Sequence, residues 1–223
     1  MWREYDVELQ IEGPFGASIP HTQKEIEAML IHRMPKKKPD EAEWTAAENL
    51  DEVVASVSEA RNLEQEEPET GWLPGWAGFL RDEEGIYYET RCIRGHLKDA
   101  AFGIREMVEL KNFRSKFVSR IYIARVNQDK VFLMRDNKRV CEPDGTIERF
   151  IQVMTRQGPR SSIKYVDFVN DPLIPFRLKV LDDGVITQEH VEMALEYGGT
   201  HGIGAERSQG WGNYTVKSIK EAV

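Results

Sequence analysis

A run of glycines close to the C-terminal end constrains this chain more than any other feature of its sequence. Two glycine–apolar–glycine units are separated by five mostly polar residues: Gly202, Gly204, Gly210 and Gly212. Glycine loses more backbone freedom on folding than any other residue, so its repeated use indicates positive φ angles or the close approach of another backbone. The N–H groups of such a loop can hold an anion such as phosphate, and Arg207 near its centre adds a planar cation. The run therefore predicts a tight loop that either binds an anion or packs against its neighbours.

The charges are distributed unevenly along the chain. The total is −8, yet residues 1–90 hold 8 Lys and Arg against 21 Asp and Glu, a net charge of −13. Residues 91–223 hold 22 against 17, a net charge of +5, and residues 91–170 alone reach +8 with 17 against 9. Local potential, and not the total charge, decides where a polyanion docks. We therefore expect any polyanion to bind after residue 90, with unevenly charged solvated surfaces as the simpler alternative.

The composition narrows the class of protein. A chain of 223 residues suits one large domain or two small fused ones. It has no apolar run near the roughly 18 residues that span a bilayer and no signal segment, so no membrane association is expected. Cys92 and Cys141 are the only cysteines and stand in no metal-binding spacing. The sequence therefore predicts no disulfide, no metal site, no cofactor and a reducing, cytoplasmic location.

The hydrophobic pattern predicts an α+β fold. Alternation over residues 5–12 is typical of a half-buried strand, and an apolar stripe predicts a helix over residues 94–112. A last helix begins at Thr187 as N-cap and ends before Gly198, and a strand from Tyr214 follows the glycine loop. The remaining elements are a turn at Gly158-Pro159 and strands at 119–126, 131–134, 146–156, 161–169 and 175–181. This order predicts a ferredoxin-like, RRM-like antiparallel sheet with helices on one face.

Residues 34–75 are interpreted as a large insertion in the N-terminal half of a single domain over residues 1–223. Two prolines and a run of three lysines at 36–38 interrupt the pattern, and residues 41–67 are acidic and helix-forming. Few large apolar residues occur there, so the segment cannot bury much of its surface alone. We predict an acidic, partly helical arm, which is a candidate surface for a protein partner.

Two segments of the chain are similar, in this order, to the motifs of one protein family. The first is Ile93-Arg94-Gly95-His96-Leu97-Lys98, which follows a predicted strand and begins a predicted helix, and the second is the glycine run 202–212. Together they resemble the RAMP superfamily of CRISPR-associated proteins, in its Cas7-like branch. The resemblance covers most of residues 1–16 and 76–220, although Glu89-Thr90-Arg91 replaces the family's Pro-Gly-Ser. The short chain and its acidic insertion look like a stand-alone member, such as those encoded by some phages.

The resemblance implies an RRM-like fold that binds single-stranded RNA through its backbone, often as a homo-oligomer along the strand. The residues alone leave RNA and DNA as alternatives. Binding without sequence preference needs a positive groove and a few stacking faces, for which Tyr122, Trp211 and Tyr214 are candidates. The residues assigned to the interface are the two motifs and nearby cations: Arg94, Gly95, His96, Lys98, Arg105, Arg156, Arg160, His201, Gly202, Gly204, Arg207, Gly210 and Gly212.

Each of these residues also has a simpler structural explanation. The glycines can build a tight connection that touches no ligand, and the aromatic side chains can belong to the core. Arg94 and Lys98 lie near the predicted helix start, where the helix dipole favours anions. Their position therefore favours a phosphate-facing role over surface decoration.

Catalysis is the function for which the sequence offers the fewest candidate residues. The resemblance to RNA-cleaving type III backbone subunits suggests an Asp on a loop, and this chain offers Asp40 and Asp51. A processing-endonuclease role suggests a His, for which His21 is the positional candidate. His96 and His201 lie inside the motifs, but no partner base follows from their spacing. Three functions stay open: an RNA-binding protein without catalysis, an RNA endonuclease, and a non-catalytic scaffold.

Overall fold

The structure is a computed structural model that describes residues 1–20, 75–155 and 158–222. The chain divides into two compact units, the first made of Met1–Ala17, Phe79–Gly145 and Phe168–Val223, and the second of Ser18–Gly78 and Thr146–Asp167. Several predictions fall outside the described residues: His21, Asp40, Asp51, Arg156 and residues 34–74 of the insertion. The arrangement of one domain with an inserted arm therefore stays a prediction.

Fourteen strands and three α-helices lie in the described residues. The strands are β1 (Trp2–Ile11), β2 (Pro14–Gly16), β3 (Ile19–Pro20), β4 (Gly75–Gly78), β5 (Leu80–Asp82), β6 (Gly85–Glu89), β7 (Ile121–Ile123), β8 (Lys130–Phe132), β9 (Met134–Arg135), β10 (Lys138–Arg139), β11 (Gly145–Thr155), β12 (Gly158–Asn170), β13 (Leu173–Leu181) and β14 (Tyr214–Glu221). The helices are α1 (Thr90–Gly103), α2 (Phe113–Arg120) and α3 (Gln188–His201), and a short 3-10 turn spans Arg207–Gln209.

The main sheet of the first unit is antiparallel and has six described strands, in which β9 pairs with β13 and β10 pairs with β9. The other four strands have the order β7-β13-β1-β14. Along the chain, these strands alternate with two helices in the order β1-α1-β7-β13-α3-β14. This is the βαββαβ arrangement of a ferredoxin-like fold. The prediction of an α+β fold with an antiparallel sheet is confirmed.

The alternating sequence of β1 decides which face of this sheet is buried. Tyr5, Val7 and Leu9 are buried, at most 2% exposed, and they pair with Leu178, Phe176 and Ile174 of β13, which are buried as well. Because successive side chains of a strand point to opposite faces, the charged residues between them lie on the other face. The apolar stripes of α1 and α3 join the buried residues of β1 and β13 in one core.

The first helix differs from its prediction at both ends. It spans Thr90–Gly103 and not residues 94–112. A Cβ at Gly103 would overlap the ring of Tyr197 on α3, so this glycine allows close packing at the end of the helix. The chain then turns and forms α2, which occupies the start of the strand predicted at 119–126 and leaves β7 only three residues. Arg105, which lies inside the helix predicted over residues 94–112, is consequently beyond the end of α1, and this corrects its predicted place on the helix.

The last helix begins as predicted but ends later. Thr187 is its N-cap, and its side-chain oxygen accepts a hydrogen bond of 3.4 Å from the backbone N–H of His190. The helix continues to His201, so Gly198 lies inside it and is not its end. A Cβ at Gly198 would come within 2.6 Å of His96 Nε2 on α1. The glycine is therefore used for close helix packing, which the sequence pattern around it does not indicate.

The strands of the second unit lie in a sheet with the strand order β11-β12-β4-β3. β12 and β4 pair in parallel, with Tyr165 opposite Trp76. The buried Asp167 accepts hydrogen bonds of 3.0 Å from Trp76 Nε1 and 2.6 Å from the Thr146 hydroxyl. The strands predicted at 146–156, 161–169 and 175–181 are confirmed as β11, β12 and β13, with bounds that differ by a few residues. Gly158 and Pro159 begin β12 instead of forming the turn predicted there.

Candidate nucleic-acid interface

The exposed side of α1 carries a cluster of cations. Arg91, Arg94 and Lys98 fall within an arc of about 60° at the usual 3.6 residues per turn, and we call these three residues the basic face. Asp99 is the only acidic residue of the helix, and residues 91–125 hold nine Lys and Arg against three Asp and Glu, a net charge of +6. The local potential at α1 is therefore positive although the whole chain is acidic.

The three cations of the basic face have different surroundings. Arg91 Nε donates a hydrogen bond of 2.9 Å to the Glu89 carboxylate at the N-cap. Arg94 donates from Nη2 to the carbonyl of Val118 at 3.1 Å, and its guanidinium carbon lies 4.6 Å from the ring centroid of Tyr122. Lys98 is exposed and forms no ion pair or hydrogen bond with the described part of the chain. Lys98 is thus the cation most available to a ligand.

Gly95 leaves a gap in the side chains next to the basic face. It is exposed, it has an ordinary helical backbone, and a Cβ built on it would meet nothing within 4 Å. Its neighbours one turn away are Arg91 on one side and Lys98 and Asp99 on the other. A glycine in a helix interior costs about 1 kcal/mol relative to alanine, and packing does not explain this one.

The glycine loop, residues 202–212, is packed tightly against the rest of the first unit. A Cβ at Gly212 would overlap the carbonyl of Ile203, and one at Gly204 would lie 2.9 Å from the carbonyl oxygen of Gly16. Gly202 is hindered in the same way by the carbonyl of Trp211, at 2.7 Å. Gly210 alone among the four has open space around it. Three of the four glycines thus have a packing role, and their assignment to the interface stays a prediction.

Many N–H groups of the glycine loop are bonded within the chain. Ile203 donates to the carbonyl of Gly212 at 2.9 Å, Ala205 to that of Gly16 at 3.0 Å, and Gly212 to that of Pro14 at 3.0 Å. A backbone anion site needs several N–H groups directed at one point. These donors are already used, and the side chain of Arg207 is a cationic group that the loop can offer to an anion.

The glycine loop and α1 lie side by side. The short 3-10 turn that carries Arg207 is framed by Glu206 and Gly210, both in the left-handed region with φ of 58° and 77°. Arg207 Nη1 lies 4.0 Å from Asp99 Oδ2 of α1, and the Arg207 side chain is 39% exposed. The fold therefore places Arg207, from the second motif, beside the residue that follows Lys98 of the first.

His96 belongs to the core, which corrects its predicted phosphate contact. The side chain is 5% exposed, and its Nε2 lies 2.9 Å from the hydroxyl of Tyr214. Burial, with smaller contributions from His201 and Arg207, lowers the pKa of His96 to about 3, so the ring is neutral at physiological pH. A buried neutral imidazole cannot reach or neutralise the phosphate of a strand on the surface.

The three predicted stacking residues differ in burial. Trp211 and Tyr214 are 9% and 5% exposed, so both are core residues, and burial raises the pKa of the Tyr214 hydroxyl. Tyr122 is 40% exposed and faces Arg94. Of the three, Tyr122 is the one that a base on the surface could contact.

The other predicted residues are spread over the molecule. His201 is exposed at the end of α3 and stacks on Tyr197, with ring centroids 6.0 Å apart. Arg105 lies past the end of α1, where it donates to the carbonyl of Phe102 at 2.8 Å. Arg156 and His21 are not described, and Arg160 is described only as a part of β12. Their predicted roles remain predictions.

Two exposed aromatic residues near the basic face were not predicted. Phe102, in the last turn of α1, is 49% exposed and lies under Arg105, and Trp2 is 44% exposed and packs edge-on against Tyr122. The sequence carries a signal for both. Arg105 follows Phe102 at helical spacing, and the alternation of β1, extended backwards from Val7, places Trp2 on the charged face.

No three His, Cys, Asp or Glu side chains of the described ranges come together in a way that could hold a metal ion. Of the helices in the same ranges, none has the length and apolarity required to cross a bilayer.

Comparison with known proteins adds little to this geometry. No family model and no curated protein matches the chain. Among solved structures, a chain in the cryo-EM structure of the Type III-B Cmr-beta bound to cognate target RNA has a TM-score of 0.44 and 12% sequence identity. The match covers 99% of this chain and 60% of that chain, so this protein spans three-fifths of its neighbour's length. A likeness at this level carries no argument for function, which must rest on the residues of the site.

Proposed function

We propose that this protein binds single-stranded RNA through phosphate contacts at the basic face of α1 and at Arg207. In this proposal it acts as a Cas7-like, RNA-binding protein without catalysis, and successive copies bind along one strand. Lys98 and Arg207 neutralise phosphates, while Arg91 and Arg94 raise the local potential. Contacts of this kind are tolerant of sequence, because every nucleotide presents the same phosphate.

The observation that carries the proposal is the gap at Gly95. An exposed glycine inside a helix destabilises that helix and packs against nothing here. The gap lies between Arg91 and Lys98, where a strand can approach the helix backbone without meeting a side chain. A purely structural helix would gain stability from alanine or another good helix former at this position, so a ligand that needs the space accounts for the glycine.

A single strand fits this surface better than a duplex does. The cations occupy one side of one helix, with exposed aromatic rings of Tyr122 and Phe102 close by. Single-stranded RNA is recognised through its backbone and through unstacked bases on aromatic or guanidinium faces. A duplex hides those bases and would leave the aromatic rings without a use.

The direct test is a charge reversal that involves both motifs. The double variant Lys98→Glu/Arg207→Glu places two negative charges where two phosphate contacts are proposed. We expect it to weaken binding of a fluorescent single-stranded RNA by roughly 100-fold or more near 0.1 M salt, because phosphate contacts dominate such affinities. Fluorescence anisotropy measures the change.

The matched control reverses two exposed lysines outside the proposed interface, Lys138→Glu/Lys220→Glu, with the same change in total charge. We expect the control to lose far less affinity than the double variant. Equal losses in both would reduce the site to an effect of net charge and contradict the proposal. Tighter binding of a DNA strand of the same sequence would contradict the assignment to RNA.

A further inference from the structure

The side chains of Phe102 and Arg105 stack on each other at the C-terminal end of α1. The guanidinium carbon of Arg105 lies 3.9 Å from the ring centroid of Phe102, and that of Arg114, on α2, lies 5.3 Å from it. Phe102 is 49% exposed and Arg114 is exposed. An aromatic ring half open to water and flanked by two cations is unusual for a residue whose only role is to fill the core.

The Arg105 guanidinium lies over the Phe102 ring and is fixed there by two hydrogen bonds. Nη1 donates to the carbonyl of Phe102 at 2.8 Å, and Nη2 donates to the Glu106 carboxylate at 2.8 Å. The Arg105 side chain is 41% exposed. Two of its five N–H donors are used in these bonds, and the guanidinium also offers a planar, positively charged π face, which is a surface for stacking.

A second arrangement of the same kind lies towards the start of α1. Arg94 is 4.6 Å from the ring centroid of Tyr122, and its Nη2 is fixed by the carbonyl of Val118. Trp2 stands at 86° to Tyr122, with centroids 5.3 Å apart. Tyr122 and Trp2 are 40% and 44% exposed. The two rings and one guanidinium form an exposed aromatic surface beside the basic face.

Lys98 lies midway between these two arrangements. Arg94, Lys98 and Phe102 follow one another at four-residue spacing, so they are neighbours along one side of the helix. Eight residues separate Arg94 from Phe102, which corresponds to about 12 Å along the axis. The helix therefore presents a row in which a stacking surface, a phosphate-binding cation and a second stacking surface succeed one another.

We infer that these two surfaces are base-stacking stations for the single-stranded RNA of the proposed function, on which this inference rests. Tyr122, Trp2 and Arg94 form the first station and stack one unpaired base. Phe102, Arg105 and Arg114 form the second and stack another, while Lys98 binds the phosphate backbone between them. The stations select unpaired over paired RNA, because a duplex holds its bases inside.

The occupant follows from the chemistry of the two stations. An apolar protein partner would not favour a surface that carries three arginines among three aromatic rings, and an acidic peptide would leave the rings unused. Unpaired bases provide flat π faces for the rings and guanidinium groups, and their phosphates provide negative charge for Lys98.

The experiment compares two RNA ligands on single-residue variants. One is a single-stranded oligonucleotide with all its bases, and the other has the same length with abasic ribose units. Phe102→Leu and Tyr122→Leu each remove a ring and keep an apolar side chain. We expect each to weaken binding of the base-bearing strand between about 5-fold and 100-fold, the range for loss of one stacked base, and to leave binding of the abasic strand unchanged.

Phe150→Leu is the matched control, since Phe150 is an aromatic residue of β11 that is 80% exposed and belongs to neither station. It should bind both ligands like the unmodified protein. Unchanged binding of the abasic strand also shows that the Phe102 and Tyr122 variants are folded.

The outcomes separate this inference from the function on which it rests. If the two Leu variants bind base-bearing RNA as tightly as the unmodified protein does, while Lys98→Glu/Arg207→Glu does not, the stations are overturned and the phosphate contacts stand. If the unmodified protein binds neither ligand, the proposed function and the stations both fail. A preference for unpaired over duplex RNA that survives in the double variant Phe102→Leu/Tyr122→Leu would also overturn the stations.

Discussion

The two motifs of this chain use glycine in opposite ways. In the glycine loop, Gly204 and Gly212 allow backbone atoms to approach so closely that any side chain would collide with a carbonyl group. On α1, Gly95 has nothing near it and is exposed. The first pattern builds the fold, whereas the second leaves space that the fold does not use.

The glycine loop and α1 also differ in the cations that they expose. The loop bonds many of its N–H groups internally and contributes one partly exposed arginine, Arg207. The helix contributes the basic face, of which Lys98 has no partner in the described residues. A glycine-rich motif is therefore a poor guide to a binding site unless the space around each glycine is known.

The largest effect on stability should come from replacing Gly212, the loop glycine whose added Cβ would have the closest neighbouring atom. Gly212→Ala places a Cβ against the carbonyl of Ile203 in a backbone with φ of 72°. We expect a loss of roughly 3 kcal/mol or more in the free energy of unfolding, because strain and overlap add. Urea unfolding followed by circular dichroism measures it. Gly210→Ala, with φ of 77° but open space, should lose only about 1 kcal/mol, and equal losses would show that contact plays no part.

The buried His96 of α1 should make the free energy of unfolding depend on pH. Its pKa falls from 6.5 to about 3 on folding because burial disfavours the charged ring. The stabilisation is therefore complete above the unfolded pKa and is lost as the pH falls from 6.5 towards 3. From about pH 7.5 to about pH 5.5, unfolding should become easier by about 1.4 kcal/mol.

Chemical denaturation of two variants at both pH values checks the assignment to His96. His96→Gln should lose most of this pH dependence, and His201→Gln, at an exposed position, should retain it. An unchanged pH dependence in His96→Gln would show that another group titrates.

Filling the gap on α1 should separate stability from binding. Gly95→Ala should raise the free energy of unfolding by about 1 kcal/mol, since alanine is the better helix former and nothing obstructs its Cβ. The larger Gly95→Gln should still fold and should weaken RNA binding, because its side chain occupies the space of the strand. Thermal unfolding and anisotropy titrations give the two quantities. Full affinity in Gly95→Gln would mean that the strand does not lie there.

The smallest effect is the change in the salt dependence of RNA binding when one cation is removed. Lys98→Ala should lower the slope of log K against log salt concentration by about 0.7, the value for one phosphate contact to a single strand. Lys220→Ala, at an exposed position of β14, should leave the slope unchanged. Titrations at four salt concentrations resolve the difference. Equal slopes in Lys98→Ala and the unmodified protein would remove Lys98 from the interface.

The parts of the fold that depend on local pattern could be predicted from the sequence. The alternation of Tyr5, Val7 and Leu9 gave the buried face of β1, and the capping residue Thr187 gave the start of α3. The order of these elements was enough to predict the ferredoxin-like topology, because few connections of such elements are allowed.

The parts that depend on distant contacts could not be predicted in this way. The absence of a side chain at Gly103 leaves room for Tyr197, which lies 94 positions later in the sequence. Gly198 lies inside α3, and its missing side chain leaves room for His96 and Tyr214. Such contacts between remote positions leave no trace in a local pattern.

The same reason explains which site residues were predicted. Arg94, Lys98 and Arg207 could be found because charge and motif spacing are local features. The burial of His96, Trp211 and Tyr214 could not, because it depends on how α1, α3 and β14 pack together. Phe102 was within reach, since the spacing to Arg105 is a local signal for a cation over a ring.

The central claim is that α1, joined by Arg207, carries the RNA-binding surface. Photocross-linking of a 4-thiouridine RNA, followed by mass spectrometry of the linked peptides, locates the strand directly. The account predicts links to peptides that contain the basic face, Phe102 or Arg207, and their loss in Lys98→Glu/Arg207→Glu. Links confined to other peptides, and equally strong in that variant, would contradict it.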